Sequence, residues 1–237
     1  MEMTLYTRGK ATDVSVYSFE TLEGALKKRK KAVIEGLPCL SDKEKRAVER
    51  KPRRYSRAAV AGPWMNDDSL LYERKKLSQK KYGLVQTISV SSNRLEYSVQ
   101  TVVAELCAIA AFAGGEIVKS NVTVGKEPFV HGCVTMEFSN GVLARCVYTN
   151  ANTEESCDWH IYCERAETLV LPLKRKLEIL KADIFIKPMK CRVPTADKAA
   201  ALKRQSIRFI KRKKDGDTPL PTLFEYVKIL RIAEKFQ

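Results

Sequence analysis

Residues 157–163 read Cys-Asp-Trp-His-Ile-Tyr-Cys, the stretch whose residue types and spacing come nearest to chemistry. Cys157, His160 and Cys163 stand three apart and are zinc-donor types, with Cys146 or Cys191 as a fourth ligand. Zinc needs its donors to converge. On a helix or tight loop they would. On a strand His160 points away from both cysteines. The stretch reads as a strand, and no second Cys-x-x-Cys supports it. The expectation is therefore no bound metal, with the thiols packed as small hydrophobes. His131 is the other of the two histidines, and Glu127 or Glu137 would be its acid–base partner. No nucleophile motif lies near it. No Gly-x-Gly-x-x-Gly follows a strand, no Gly-x-x-x-x-Gly-Lys-Ser/Thr occurs, and Gly114-Gly115 has neither flank. The reading is no catalytic set, no cofactor, and not an enzyme.

The second candidate is charge. Lys27-Lys28-Arg29-Lys30-Lys31 is five cations in a row, followed by Ala32-Val33-Ile34. Further runs are Arg50-Lys51-Pro52-Arg53-Arg54, Arg74-Lys75-Lys76, Lys174-Arg175-Lys176 and Lys211-Arg212-Lys213-Lys214, with Lys203 and Arg204 upstream of the last. Such clusters meet phosphates, import receptors or anionic lipid. Phosphate binding of this kind releases counterions and falls steeply with salt. Tyr55 and Phe209 lie close by for stacking or insertion, but two aromatics are no RNA-recognition signature. The formal charge is +15, and it is segregated: residues 100–171 are acidic and apolar, while 1–60 and 172–214 are cationic. Segregation predicts electropositive surfaces rather than solubility alone.

The chain behind these residues has 237 positions and 44% hydrophobic content, enough for one good core or two small ones. No apolar run reaches the 18 or so residues a membrane span needs. The first residues lack the apolar block of a secretory signal, so a reducing compartment and free thiols are expected for the seven cysteines. Alternation predicts strands over 13–19, 84–90, 117–124, 131–138, 142–148, 160–163 and 169–171, with a short one at 32–34. Asn140-Gly141 predicts a hairpin. Ser91-Ser92-Asn93-Arg94 reads as a turn. Ser41 with Glu44 is a capping box, so 42–50 is a helix, stopped by Pro52 before an exposed arginine stretch. A helix capped by Thr21 and running to about Lys31, a buried one over 97–112 closed by Gly114-Gly115, one at 174–181, a cationic one at 196–214 and an amphipathic one at 221–236 complete the pattern. The fold class is α+β: a central, mostly antiparallel sheet at about 84–171 with packed helices and basic helical arms. The domains are a basic arm over 1–62, an α+β core over 63–194, and a basic plus amphipathic helical pair over 195–237.

Two family resemblances follow from particular stretches. Ile88 to Leu106, ISVSSNRLEYSVQTVVAEL, resembles the core of rhabdovirus-type matrix proteins: a strand, a polar turn at Ser92-Asn93-Arg94, then an amphipathic helix. That resemblance implies self-association, binding to ribonucleoprotein, contact with an anionic membrane face, and a Lys27–Lys31 run read by a nuclear import receptor. Residues 134–152 (VTMEFSNGVLARCVYTNAN), 167–171 and 218–236 resemble the second-domain sheet and closing helix of glucose–fructose oxidoreductase-like dehydrogenases. Where that family has Glu-Lys-Pro, with its catalytic lysine, this chain has Gly36-Leu37-Pro38, and the family's substrate-side histidine has no counterpart in the 95–112 helix.

The expectation drawn from charge and the first resemblance is a non-enzymatic, polyanion-binding structural protein. It would be matrix-like, bridging RNA or ribonucleoprotein and membrane, in host nucleus, cytoplasm and virion. Its contact residues would be Lys27, Lys28, Arg29, Lys30, Lys31, Arg53, Arg54, Lys203, Arg204, Lys211, Arg212, Lys213 and Lys214. The alternative is an RNA-binding or ribosome-associated protein on a degenerate enzyme fold, or an oxidoreductase-like protein without its cofactor domain.

Overall fold

The computed structural model describes residues 5–7, 10–12, 19–27, 31–62, 67–78, 82–95, 98–125, 131–150, 154–174, 176–181, 189–193, 209 and 220–236. A small sheet forms first. β1 (Leu5–Thr7) pairs antiparallel with β2 (Lys10–Thr12) and with β3 (Ala32–Glu35). β3 runs parallel to β4 (Ala58–Ala61), so the order is β2-β1-β3-β4. Between β3 and β4 lie α2 (Asp42–Arg50) and the single turn α3 (Pro52–Tyr55), and α1 (Phe19–Lys27) precedes β3. Ser41 accepts from the Glu44 backbone N–H while the Glu44 carboxylate accepts from the Ser41 N–H, the reciprocal box that the sequence predicts. Pro52 ends α2 but starts α3, because a proline at the first helical position lacks only a donor the helix would not use.

Among the described residues the large sheet has eight strands, in the order β12-β11-β10-β9-β5-β8-β7-β6. These are β5 (Val85–Asn93), β6 (Ile117–Val124), β7 (His131–Phe138), β8 (Leu143–Thr149), β9 (Ser156–Cys163), β10 (Ala166–Leu171), β11 (Lys176–Lys181) and β12 (Met189–Arg192). Neighbours are antiparallel except β5 and β8, which run parallel. This is the α+β fold with a mostly antiparallel sheet that the pattern predicts. The Asn140-Gly141 hairpin joins β7 to β8, with Gly141 at φ 84° and the Phe138 N–H donating to the Val142 carbonyl.

One face of this sheet is covered. α5 (Val99–Ala113) lies over β5 and β8, and α4 (Asp68–Ser78) lies over β10 and β11. Alternation decides the face: Gly132, Val134, Met136 and Phe138 are buried while His131, Thr135 and Glu137 are exposed. α5 is capped by Ser98 and closed by Gly114 at φ 74°. α6 (Leu223–Ala233) joins the two sheets. It packs on α5 and β4, Val60 N–H donates to the Pro221 carbonyl, and the Tyr226 hydroxyl donates to the Pro38 carbonyl at 2.9 Å.

Some sequence readings are corrected. Ser91, Ser92 and Asn93 continue β5 rather than turning. Residues 176–181 are a strand paired on both sides, not a helix. Phe19 opens α1, which begins two residues before Thr21 and ends at Lys27. Of the strand read at 13–19, Phe19 is helical and 13–18 lie outside the described residues, as does the cationic helix at 196–214, Phe209 apart.

Candidate functional site

The register brings Tyr148 of β8, Ser92 of β5 and Cys157 of β9 side by side on the covered face. They sit at the carboxyl ends of the parallel pair β5 and β8, the edge at which open sheets receive ligands. Glu105, the one charged residue of α5, comes down onto this row and is 7% exposed. Its Oε1 accepts from the Ser92 hydroxyl at 2.8 Å and from Arg94 Nη2 at 2.8 Å, with the Cys157 thiol at 3.9 Å. Arg94 is held by the strand register, its backbone N–H donating to the Thr149 carbonyl. Trp159 Nε1 donates to Cys157 Sγ at 3.3 Å, and its ring packs on Phe112. On the far side of the row Phe236 meets Tyr148 edge-on, 5.5 Å between centroids, and crowds Gly132, where a Cβ would lie 2.3 Å from its ring.

The electrostatics suit recognition more than proton transfer. Burial pushes the Cys157 thiol up to about 12, with Glu105 adding to it. Burial likewise raises Cys146 and Tyr148 well above their ordinary values. These groups are neutral and poor nucleophiles at neutral pH. Burial works against the Arg94 charge, but the hydrogen bond and charge of Glu105 outweigh it and raise the guanidinium. Among the described residues, Glu105 Oε2 and Asn150 Oδ1 are buried without a hydrogen-bond partner, and the buried Tyr148 hydroxyl has only the Cys146 thiol beside it. Buried polar atoms of native proteins are nearly always paired, so such a group calls for an explanation.

The sequence-predicted residues fall elsewhere. On β9, Cys157 is buried and Cys163 half-buried on the covered face, while His160 lies on the opposite face, its Nδ1 3.0 Å from Glu167. The trio does not converge, and no group of three metal-ligating side chains occurs among the described residues. His131 is exposed and its ring lies over Gly125, while Glu127 is outside the described residues. Lys27 and Arg54 both pair with Glu23, which also accepts from the Tyr55 hydroxyl, and Arg53 is exposed. Lys31 lies 5.9 Å from the Phe209 ring centroid. Lys28, Arg29, Lys30, Lys203, Arg204, Lys211, Arg212, Lys213 and Lys214 lie outside the described residues. Gly36, in the slot where the second resemblance has its Glu-Lys-Pro, takes φ 97° and donates to the Ala61 carbonyl. Sequence reasoning missed Glu105, although a lone charge inside Val99–Ala113, an otherwise uncharged, alanine-rich helix, was a usable signal.

No family model matches the sequence, and no curated protein matches it. Solved structures do. The chain is similar to UDP-N-acetylglucosamine 3-dehydrogenase GnnA from Acidithiobacillus ferrooxidans, with TM-score 0.60 and 14% identity over 92% of this chain and 73% of that one. It is similar to a dehydrogenase from Chromobacterium violaceum, with TM-score 0.60 and 13% identity over 92% and 71%. It is also similar to a super-repressor mutant of Gal80p from Saccharomyces cerevisiae, with TM-score 0.59 and 12% identity over 86% and 68%. At these identities the likeness shows the fold alone: the chain is built like these proteins, in keeping with the second resemblance. It overturns the matrix-like, polyanion-binding reading. The Ser92-Asn93-Arg94 stretch that carried that reading is β-strand and Glu105-clamped arginine, not a polar turn. The nuclear-import and virion expectations drawn from it fall with it.

Proposed function

We propose that this chain is a ligand-binding protein on a dehydrogenase-type fold that does not itself transfer hydride. The polar row beneath Glu105 receives the ligand. One observation carries this: at the carboxyl edge of β5 and β8 the ionisable group is a glutamate clamped by Arg94, with Oε2 left over and the neighbouring Tyr148 hydroxyl met only by the Cys146 thiol. Glu105 Oε2 accepts, and the Tyr148 hydroxyl both donates and accepts. A ligand hydroxyl answers both, which makes a hydroxylated, sugar-like molecule the fitting class. The likeness to a protein described as acting on UDP-N-acetylglucosamine supports that class. Gly36-Leu37-Pro38 and the lack of histidine in α5 speak against turnover, since the lysine and the histidine of the second resemblance are both missing. The likeness to a super-repressor supports a fold that is not tied to enzymes.

The test combines thermal shift with fluorescence. N-acetylglucosamine and its UDP conjugate should raise the melting temperature saturably, the effect should vanish in Glu105→Gln and Tyr148→Phe, and nicotinamide fluorescence should not change. Saturable nicotinamide binding with sugar-dependent hydride transfer would make the protein an enzyme. No shift with either sugar would leave the row a purely structural network.

A further inference from the structure

An open sheet ends in strands with unpaired N–H and C=O groups, and a folded chain blunts such edges or uses them. Among the described residues the two sheets have four edges, and three are blunted. β2 is three residues long. The outer side of β4 is taken by the segment before α6: Val60 N–H donates to the Pro221 carbonyl, and Ala59 bridges Thr222. β12 has four residues, two of them the cations Lys190 and Arg192. β6 is the exception. It has eight residues, Ile117–Val124, with three valines, no proline and one charge, Lys119. Among the described residues, no backbone group of Val118–Val124 bonds to anything but β7. Val118 is 60% exposed and Val124 40%, so both ends of the strand stand open. A bulge at Val118 disturbs only the start of the strand, and Lys119 to Val124 pair regularly with Glu137 to Gly132.

This edge fits a second copy of itself. Antiparallel pairing about a two-fold axis through Asn121 sets Asn121 opposite Asn121, Ser120 opposite Val122, Lys119 opposite Thr123 and Val118 opposite Val124. The exposed valines then cover each other. The single cation meets a hydroxyl rather than its own copy. Each Asn121 amide carries donor and acceptor, so the two answer one another. Opposed residues point to the same face, so the face covered by α5 in one copy continues into the covered face of the other. An axis through Lys119 would set like charges opposite each other, which opposes pairing. We propose that β6 pairs antiparallel with β6 of a second copy about Asn121, joining two large sheets into one across a reversible dimer. A single strand pair covers less than a standard interface, so the dimer is weak.

The experiment is sedimentation velocity of the full chain between about 1 and 100 μM, a range suited to a small interface. The natural protein should pass reversibly from monomer to dimer across it. Asn121→Lys and Asn121→Asp each set like charges opposite one another, and each should raise the dissociation constant by at least about tenfold. Asn121 is exposed, so both variants should fold, with the melting temperature of the dilute protein unchanged. An equimolar mixture of the two variants should restore the dimer, because opposite charges then meet. A natural protein that stays monomeric throughout would overturn the proposal. So would a dimer that both variants retain, since it would use another surface, such as the uncovered face of the sheet. Loss of the dimer in both folded variants without recovery in the mixture would overturn the pairing about Asn121.

Discussion

At the scale of single residues, Glu105 and Arg94 stabilise one another far more than a surface pair would. Arg94 reaches from a partly exposed position to a carboxylate that is 8% exposed at its side chain. Exposed pairs contribute about 0–1 kcal/mol, whereas removing one partner of a buried pair strands the other charge. Arg94→Ala should therefore lower stability by about 2–3 kcal/mol in urea unfolding, less than the full cost of a wholly buried pair. Arg94→Ala with Glu105→Gln should cost less than Arg94→Ala alone, since the stranded charge is gone; strictly additive losses would refute the coupling. Glu73 makes the opposite case. Burial holds its pKa above 4.5, against smaller pulls from Thr168 and Lys76, with the Cys163 thiol beside it. A carboxyl whose pKa is raised on folding contributes stability that is fully present below the unfolded value and is lost as pH rises through the folded one. The natural protein should thus lose ground to Glu73→Gln steadily from about pH 5 upward. Parallel melting curves across that range would mean that the carboxyl titrates normally. Neither glutamate's role was legible in the sequence. Each announces itself as a charge on an apolar helical face, but the partner that explains Glu105 is set by a strand register eleven residues upstream.

At the scale of elements, local chemistry was readable and pairing was not. The boxes at Ser41-Glu44 and Thr222-Glu225 each satisfy helix N–H groups within four residues, and Asn140-Gly141 closes its hairpin within the turn. Nothing local signals that β5 pairs parallel with β8 across some fifty intervening residues. Ser91-Ser92-Asn93 has turn composition. It stays in a strand because Glu105 accepts from Ser92 and the Glu154 carbonyl accepts from Asn93 Nδ2, so polar side chains are satisfied without a turn. Lys176–Lys181 has helix-forming composition, and pairing with β10 and β12 overrides it. Ala58–Ala61 has little strand preference of its own and is set by β3 and by Thr222 of the α6 cap. The two boxes are chemically alike but differ in what they support, which yields a comparison. Ser41→Ala, on exposed α2, should cost about 1 kcal/mol. Thr222→Ala should cost about 2 kcal/mol, the upper end of the range, because the Thr222 box is part-buried where the Ser41 box is exposed. Equal costs in urea unfolding would mean that burial adds nothing to the α6 cap.

At the scale of the whole molecule, α6 decides whether the two sheets behave as one unit. It buries Leu223, Tyr226, Val227, Ile229 and Ile232 between α5 and the small sheet, and Tyr226 reaches the Pro38 carbonyl just beyond β3. Its exposed end is tied to α2 by Arg231, which meets Asp42 and Glu49, and by Lys45, which meets Glu234. The Arg231 pairs lie nearer the surface and contribute little one by one. The apolar face of α6 contributes more, at about 25 cal/mol per Å² removed from water. Truncating Ile229 to Ala should cost about 2–5 kcal/mol, the range for a large buried aliphatic. If α6 couples the sheets, that loss should appear alike in both. Amide exchange at Val33 and Val60 of the small sheet and at Ile88 and Ile161 of the large one should speed up by the same factor, because all four would open only in global unfolding. Faster exchange at Val33 and Val60 alone, with Ile88 and Ile161 unchanged, would mean that the small sheet opens by itself. The carboxyl-edge network would then belong to the large sheet only, and ligand should protect Ile88 and Ile161 without touching Val33.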